Sequence, residues 1–134
     1  PDFTVMTVDQ EPITLSDLRG NVVLLNFWGT WCGPCRREMP EFQQAYSQLN
    51  SQGFEILAVS FDDTFEAIAN FRNEFGLTFP LALDDTGEIN DAYGIQTRPS
   101  SFLLDKDGVI LVRHFGMMTE TQIQDMINEA LETE

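Results

Sequence analysis

Val22-Val23-Leu24-Leu25-Asn26-Phe27-Trp28 is apolar at every position but one, and it runs almost directly into Cys32-Gly33-Pro34-Cys35. A β-branched and aromatic run of this kind reads as a central strand buried on both faces. After the second cysteine, apolar residues recur at Met39, Phe42, Ala45, Tyr46 and Leu49, a helical stripe that ends before Gly53. Pro40 lies inside that stripe and predicts a kink, because its ring removes the bond to the Arg36 carbonyl. Both cysteines of the chain therefore stand at a strand-to-helix junction. There the first helical N–H groups and the positive end of the helix dipole favour a thiolate on Cys32.

The rest of the chain supplies a sheet around this junction. Residues 54–61 read as a second core strand. Asp63 and Glu66 resemble a capping box for a helix carrying Phe65, Ile68, Ala69, Arg72 and Phe75 to Gly76. Strand, helix, strand, helix argues an α/β sheet with parallel neighbours. Before it, residues 3–6 and 13–15 alternate as a hairpin-like lead-in, and residues 16–21 read as a turn. Beyond it, residues 79–83 predict a short strand and 88–93 a short helix closed by Gly94. Residues 101–104 and 109–115 flank Asp105-Lys106-Asp107-Gly108, whose Asp-Gly predicts an antiparallel hairpin. Thr119 and Gln122 form a capping box opening a last helix, with Ile123, Met126, Ile127, Ala130 and Leu131 on one face. No repeat or linker interrupts the chain, which reads as one domain over residues 1–134.

Seven Lys and Arg against 22 Asp and Glu leave a net charge of −15. Such a surface repels nucleic acid and anionic membranes. It serves either as a solubilising coat or to steer cationic partners. Nothing resembles a signal peptide or a span of about 18 apolar residues. A start at Pro1 without Met suggests a mature or trimmed chain, and leaves room for a removed N-terminal export signal or membrane anchor.

Two cysteines permit one intrachain disulfide, closing only the 32–35 loop. So small a loop adds little stability through chain entropy, which points to redox cycling instead. Cys32 is expected to be exposed and to attack, with Cys35 one turn deeper as the resolving thiol. The alternative, half of a zinc site, needs two more ligands at metal spacing. There is no second cysteine pair, and the single histidine, His114, lies in a distant strand pattern and reads as structural. No metal and no cofactor beyond the Cys32–Cys35 disulfide are expected. Trp28 reads as core, whereas Trp31, beside Cys32, reads as part of a docking surface.

At these residues the chain resembles a known family. Trp31-Cys32-Gly33-Pro34-Cys35 is similar to the thioredoxin motif. The longer stretch, Leu25 to Cys32 and Cys35-Arg36-Arg37-Glu38-Met39-Pro40, resembles the TlpA/ResA/CcmG branch of bacterial extracytoplasmic thiol–disulfide oxidoreductases. The likeness extends to residues 14–20, to Phe79-Pro80 and to Arg98-Pro99-Ser100-Ser101-Phe102-Leu103-Leu104-Asp105. It implies a thioredoxin-like α/β fold, a central mixed sheet flanked by helices, with an N-terminal hairpin and a strand–helix insert before a cis-proline at Pro99. That proline, 64 positions beyond Cys35, is expected to pack on the cysteines and let Arg98 pair through its backbone with an extended substrate. Trp31, Gly33, Pro34, Arg98 and Pro99 then form the substrate-binding surface.

Three positions bear on the chemistry. Arg98 stands where a small or apolar residue is expected; it either stabilises the Cys32 thiolate and pairs with a partner carboxylate, or faces solvent. Asn26 replaces the buried Asp of ordinary thioredoxins and cannot titrate. Glu38 matches an acidic residue that ResA-type proteins place near the site, where it would tune or deprotonate Cys35; the alternative is a solvated helix Glu.

The resemblance implies a protein-disulfide oxidoreductase that mainly reduces disulfides in exported partners, recharged by an upstream membrane thiol donor. Apocytochrome c haem-site thiols or a copper-site protein are the implied substrate classes. An extracytoplasmic location and a monomer are expected. A thiol peroxidase of the peroxiredoxin type is the enzymatic alternative, disfavoured because Gly29 stands where such enzymes carry Thr. A binding or chaperone module with a structural disulfide is the non-enzymatic one.

Overall fold

The computed structural model describes residues 1–132 of the 134. The strands are β1 Thr4–Thr7, β2 Pro12–Thr14, β3 Val22–Trp28, β4 Phe54–Ser60, β5 Leu81–Leu83, β6 Ser100–Leu104 and β7 Ile110–Phe115. The α-helices are α1 Gly33–Leu49, α2 Phe65–Phe75, α3 Glu88–Ala92 and α4 Glu120–Glu132. One mixed sheet runs β2-β1-β5-β4-β3-β6-β7.

Strand β3 is flanked on both sides. It pairs parallel with β4, Val22 opposite Phe54 through Trp28 opposite Ser60, and antiparallel with β6, Val23 opposite Leu104 through Phe27 opposite Ser100. All of its residues are buried. Val22, Leu24 and Trp28 pack with Met39 and Phe42 of α1, Ile68 and Phe71 of α2, and Ile123 and Ile127 of α4. Val23, Leu25 and Phe27 pack in the opposite layer with Val59, Phe102, Ile89 and Tyr93, so α3 covers the second face. Each such side chain contributes roughly 1.5–3 kcal/mol on burial, which is why this strand tolerates so little polarity.

The β4–α2–β5 crossover places β5 parallel to β4, and the N-terminal hairpin extends the sheet by pairing β1 antiparallel to β5. Residues 16–21 are not a plain turn: a 3-10 turn spans Leu15–Leu18 before Gly20 reverses the chain at φ 99°. The start of α2 also differs from expectation. Thr64 is the N-cap, its hydroxyl accepting from the Ala67 N–H at 3.0 Å, while Asp63 is engaged elsewhere. The capping box of α4 forms as the sequence suggests: the Thr119 N–H donates to the Gln122 side chain at 2.9 Å and the Gln122 N–H to the Thr119 hydroxyl at 3.2 Å. Pro40 sits inside an unbroken span from Gly33 to Leu49, at an exposed position. Helix α1 thus rises from the carboxyl end of β3, where open α/β sheets place their sites.

Candidate active site

Cys32 and Cys35 form a disulfide, with Cα atoms 5.3 Å apart. Cys32 is the N-cap of α1 and Pro34 lies in the first turn, where its missing N–H leaves no bond unmade. The Cys32 sulfur accepts the Cys35 N–H at 3.3 Å. On reduction the same N–H and the helix dipole favour a thiolate at Cys32. Gly33 and Pro34 are exposed, and Cys35 is fully buried. Cys32 is more enclosed than expected, only 6% exposed. Part of the cover is the Arg98 carbonyl oxygen, 3.6 Å from its sulfur and able to accept from the reduced thiol.

One helical turn beyond Cys35, Glu38 is 1% exposed, so it is no solvated helix carboxylate. One carboxyl oxygen accepts the Met118 N–H at 2.8 Å, and the other lies 3.5 Å from the donating Asn26 amide. Burial pushes this carboxyl from 4.5 up to about 7, with the Met118 and Asn26 hydrogen bonds opposing and Glu41 adding to the rise. Asn26, fully buried in β3, also donates to the Ser101 hydroxyl at 3.0 Å, while its carbonyl oxygen has no partner.

The Arg98–Pro99 peptide bond is cis, and the Pro99 carbonyl accepts the Gly116 N–H at 2.8 Å. The Arg98 side chain is half-buried. Its Nη2 donates to Asn90 Oδ1, and its guanidinium carbon lies 5.8 Å from the Trp31 ring centre and 5.9 Å from that of Phe61. Burial lowers the Arg98 pKa, while Asp62 and Asp84 pull it back up. The Arg98 backbone thus meets the Cys32 sulfur while its guanidinium meets Asn90 and Trp31. Trp31 is 54% exposed at the rim, whereas Trp28 is wholly core.

Sequence reasoning missed Asp63. Its carboxylate accepts the Thr30 N–H at 2.9 Å, the Thr30 hydroxyl at 2.8 Å and the Ser60 hydroxyl at 2.7 Å, holding the chain just before Cys32 onto the end of β4. Its position before a helix gave it a capping role that Thr64 fills instead. Asn90 and Asp84 were missed as well, since neither shares a motif with the cysteines. His114 lies on the edge strand β7, opposite Ser101.

A thioredoxin-like sheet that delivers a Cys-x-x-Cys disulfide to a helix N-terminus, beside a cis-proline turn, defines a thiol–disulfide oxidoreductase. The chain belongs to the AhpC/TSA family, whose model matches residues 1–113. It is 41% identical over 129 residues to the thiol-disulfide oxidoreductase ResA of Bacillus thuringiensis (strain Al Hakam), covering 96% of this chain and 75% of that one. Among solved structures it is similar to StoA from Bacillus subtilis, with TM-score 0.80, 33% identity and coverage of 93% of this chain and 95% of that one. It is also similar to a thiol:disulfide interchange protein of the thioredoxin family from Chlorobium tepidum TLS, with TM-score 0.89, 26% identity and coverage of 98% and 94%.

Proposed function

We propose that the protein reduces disulfides in partner proteins outside the cytoplasm, with Cys32 attacking and Cys35 resolving. The observation that carries this reading is the asymmetry of the two sulfurs: Cys32 accepts the Cys35 N–H at the helix N-terminus, while Cys35 is fully buried one turn deeper. The Cys32 thiolate attacks one sulfur of the partner disulfide, forming a mixed disulfide and releasing the other sulfur as a thiolate. Cys35 then gives up its proton and attacks the Cys32 sulfur. The partner leaves as a dithiol, and the Cys32–Cys35 disulfide waits for an upstream thiol donor.

Glu38, buried and raised to about 7, is the group assigned to take the Cys35 proton, since Asn26 cannot. Trp31, Gly33, Pro34 and the Arg98–Pro99 backbone receive the partner chain. Likeness to ResA and StoA supports the disulfide exchange, and we extend it to exported substrates of the cytochrome c maturation kind, fed by a membrane thiol donor.

Trapping tests it. With Cys35→Ser, the expected result is a partner protein disulfide-linked to Cys32 and released by dithiothreitol. Full partner reduction by Cys32→Ser would overturn the assignment.

A further inference from the structure

The insert before the cis-proline carries a chain of polar contacts that ends at the rim of the site. Asp84, 2% exposed just beyond β5, accepts the Asn90 N–H at 2.9 Å, the Asn90 amide at 2.8 Å and the Gly87 N–H at 3.2 Å. With its amide nitrogen bound to Asp84, Asn90 turns its oxygen to the Arg98 guanidinium. That guanidinium lies 5.8 Å from the Trp31 ring centre, while the Arg98 carbonyl stands 3.6 Å from the Cys32 sulfur. The Arg98 Nε is buried without a partner, and the Asn90 bond tethers this side chain beside the charges of Asp62 and Asp84. A buried carboxylate thereby orients an amide, and the amide holds an arginine whose guanidinium neighbours Trp31 and whose carbonyl neighbours the Cys32 sulfur.

We infer that Asn90 and Asp84 are positioning residues for disulfide exchange, holding Arg98 and Trp31 as the two walls of the partner groove and so governing KM rather than the sulfur chemistry. The inference rests on Cys32 being the attacking sulfur. Loss of the Arg98–Asn90 bond frees the Arg98 guanidinium and the Trp31 ring, whereas the Pro99 backbone, held by the Gly116 N–H, and the helix N-terminus that activates Cys32 stay in place.

The test uses a synthetic disulfide-linked peptide as substrate, dithiothreitol as the recharging thiol, and acrylamide quenching of tryptophan fluorescence. Quenching reports on Trp31, because Trp28 is fully buried. Asn90→Ala and Arg98→Met are each expected to raise KM about three- to tenfold, with kcat within about twofold, and to raise quenching. The double variant is expected to be no worse than the more affected single one. Arg98→Met leaves the Asp84–Asn90 pair intact, so it decides the matter if Asn90→Ala fails to fold. Unchanged KM and quenching in Arg98→Met, or additive effects in the double variant, would overturn the inference. Turnover that survives Cys32→Ser would instead overturn the sulfur assignment beneath it.

Discussion

Glu38 accepts the backbone N–H of Met118 at 2.8 Å, so the helix that carries both cysteines is tied to the chain entering α4 by a group that titrates near neutrality. This contact makes stability depend on pH in a defined direction. Between pH 4.5 and about 7 the folded protein keeps a proton on Glu38 that the unfolded chain has released. The contribution is fully present below 4.5, falls by about 3 kcal/mol in all as pH rises through that window, and levels off above it. Glu38→Gln removes the titration. Urea midpoints of the two oxidised proteins from about pH 4 to pH 8 check this: the variant is expected to gain on the wild type as pH rises, and parallel profiles would contradict it.

Asn26 lies 3.5 Å from that carboxyl. Asn26→Asp would put a second buried acid beside it, and two carboxylates at that distance do not both ionise freely. The expected outcome is a loss of at least about 2 kcal/mol at pH 8 that shrinks at pH 5, read from the same urea midpoints.

Asp63 holds Thr30 through two hydrogen bonds and Ser60 through a third. Asp63→Ala leaves the Thr30 N–H and the Ser60 hydroxyl without this partner, which costs about 1–3 kcal/mol. The loop before Cys32 is then less constrained. Slower reduction of a disulfide peptide, together with a lower urea midpoint, is the expected pair of results; a midpoint loss with unchanged kinetics would restrict Asp63 to stability.

Gly29 is buried beneath the Trp31 indole, and a Cβ there would stand 2.5 Å from the ring. The obstacle is a side chain that reaches solvent, so Gly29→Ala is expected to displace Trp31 rather than unfold the chain. Acrylamide quenching should change while the urea midpoint moves by less than about 1 kcal/mol equivalent. A large stability loss with unaltered quenching would show that the ring, not the backbone, is the fixed partner.

Some of this is legible in the sequence. The double-faced burial of β3 follows from its apolar run, and the helix over the second cysteine from its 3.6-residue stripe, because both signals lie within a few residues of one another. The Thr119–Gln122 cap was readable for the same reason. The Asp63–Glu66 spacing suggests a cap that does not form, because two residues compete to start α2 and in the fold Ser60 and Thr30 claim Asp63.

The chain order alone thus established a reactive dithiol at a strand-to-helix junction, and resemblance gave it a proline from far downstream. What the tertiary structure decided is the environment of those groups. Glu38 meets Met118 across 80 positions, Asn26 meets Ser101 across 75, and the Cys32 sulfur meets the Arg98 carbonyl across 66. No periodicity encodes such pairs. They arise when β6 docks beside β3 and α4 packs on α1, and only that packing turns a helix Glu into a buried acid and an exposed-looking Arg into a tethered one.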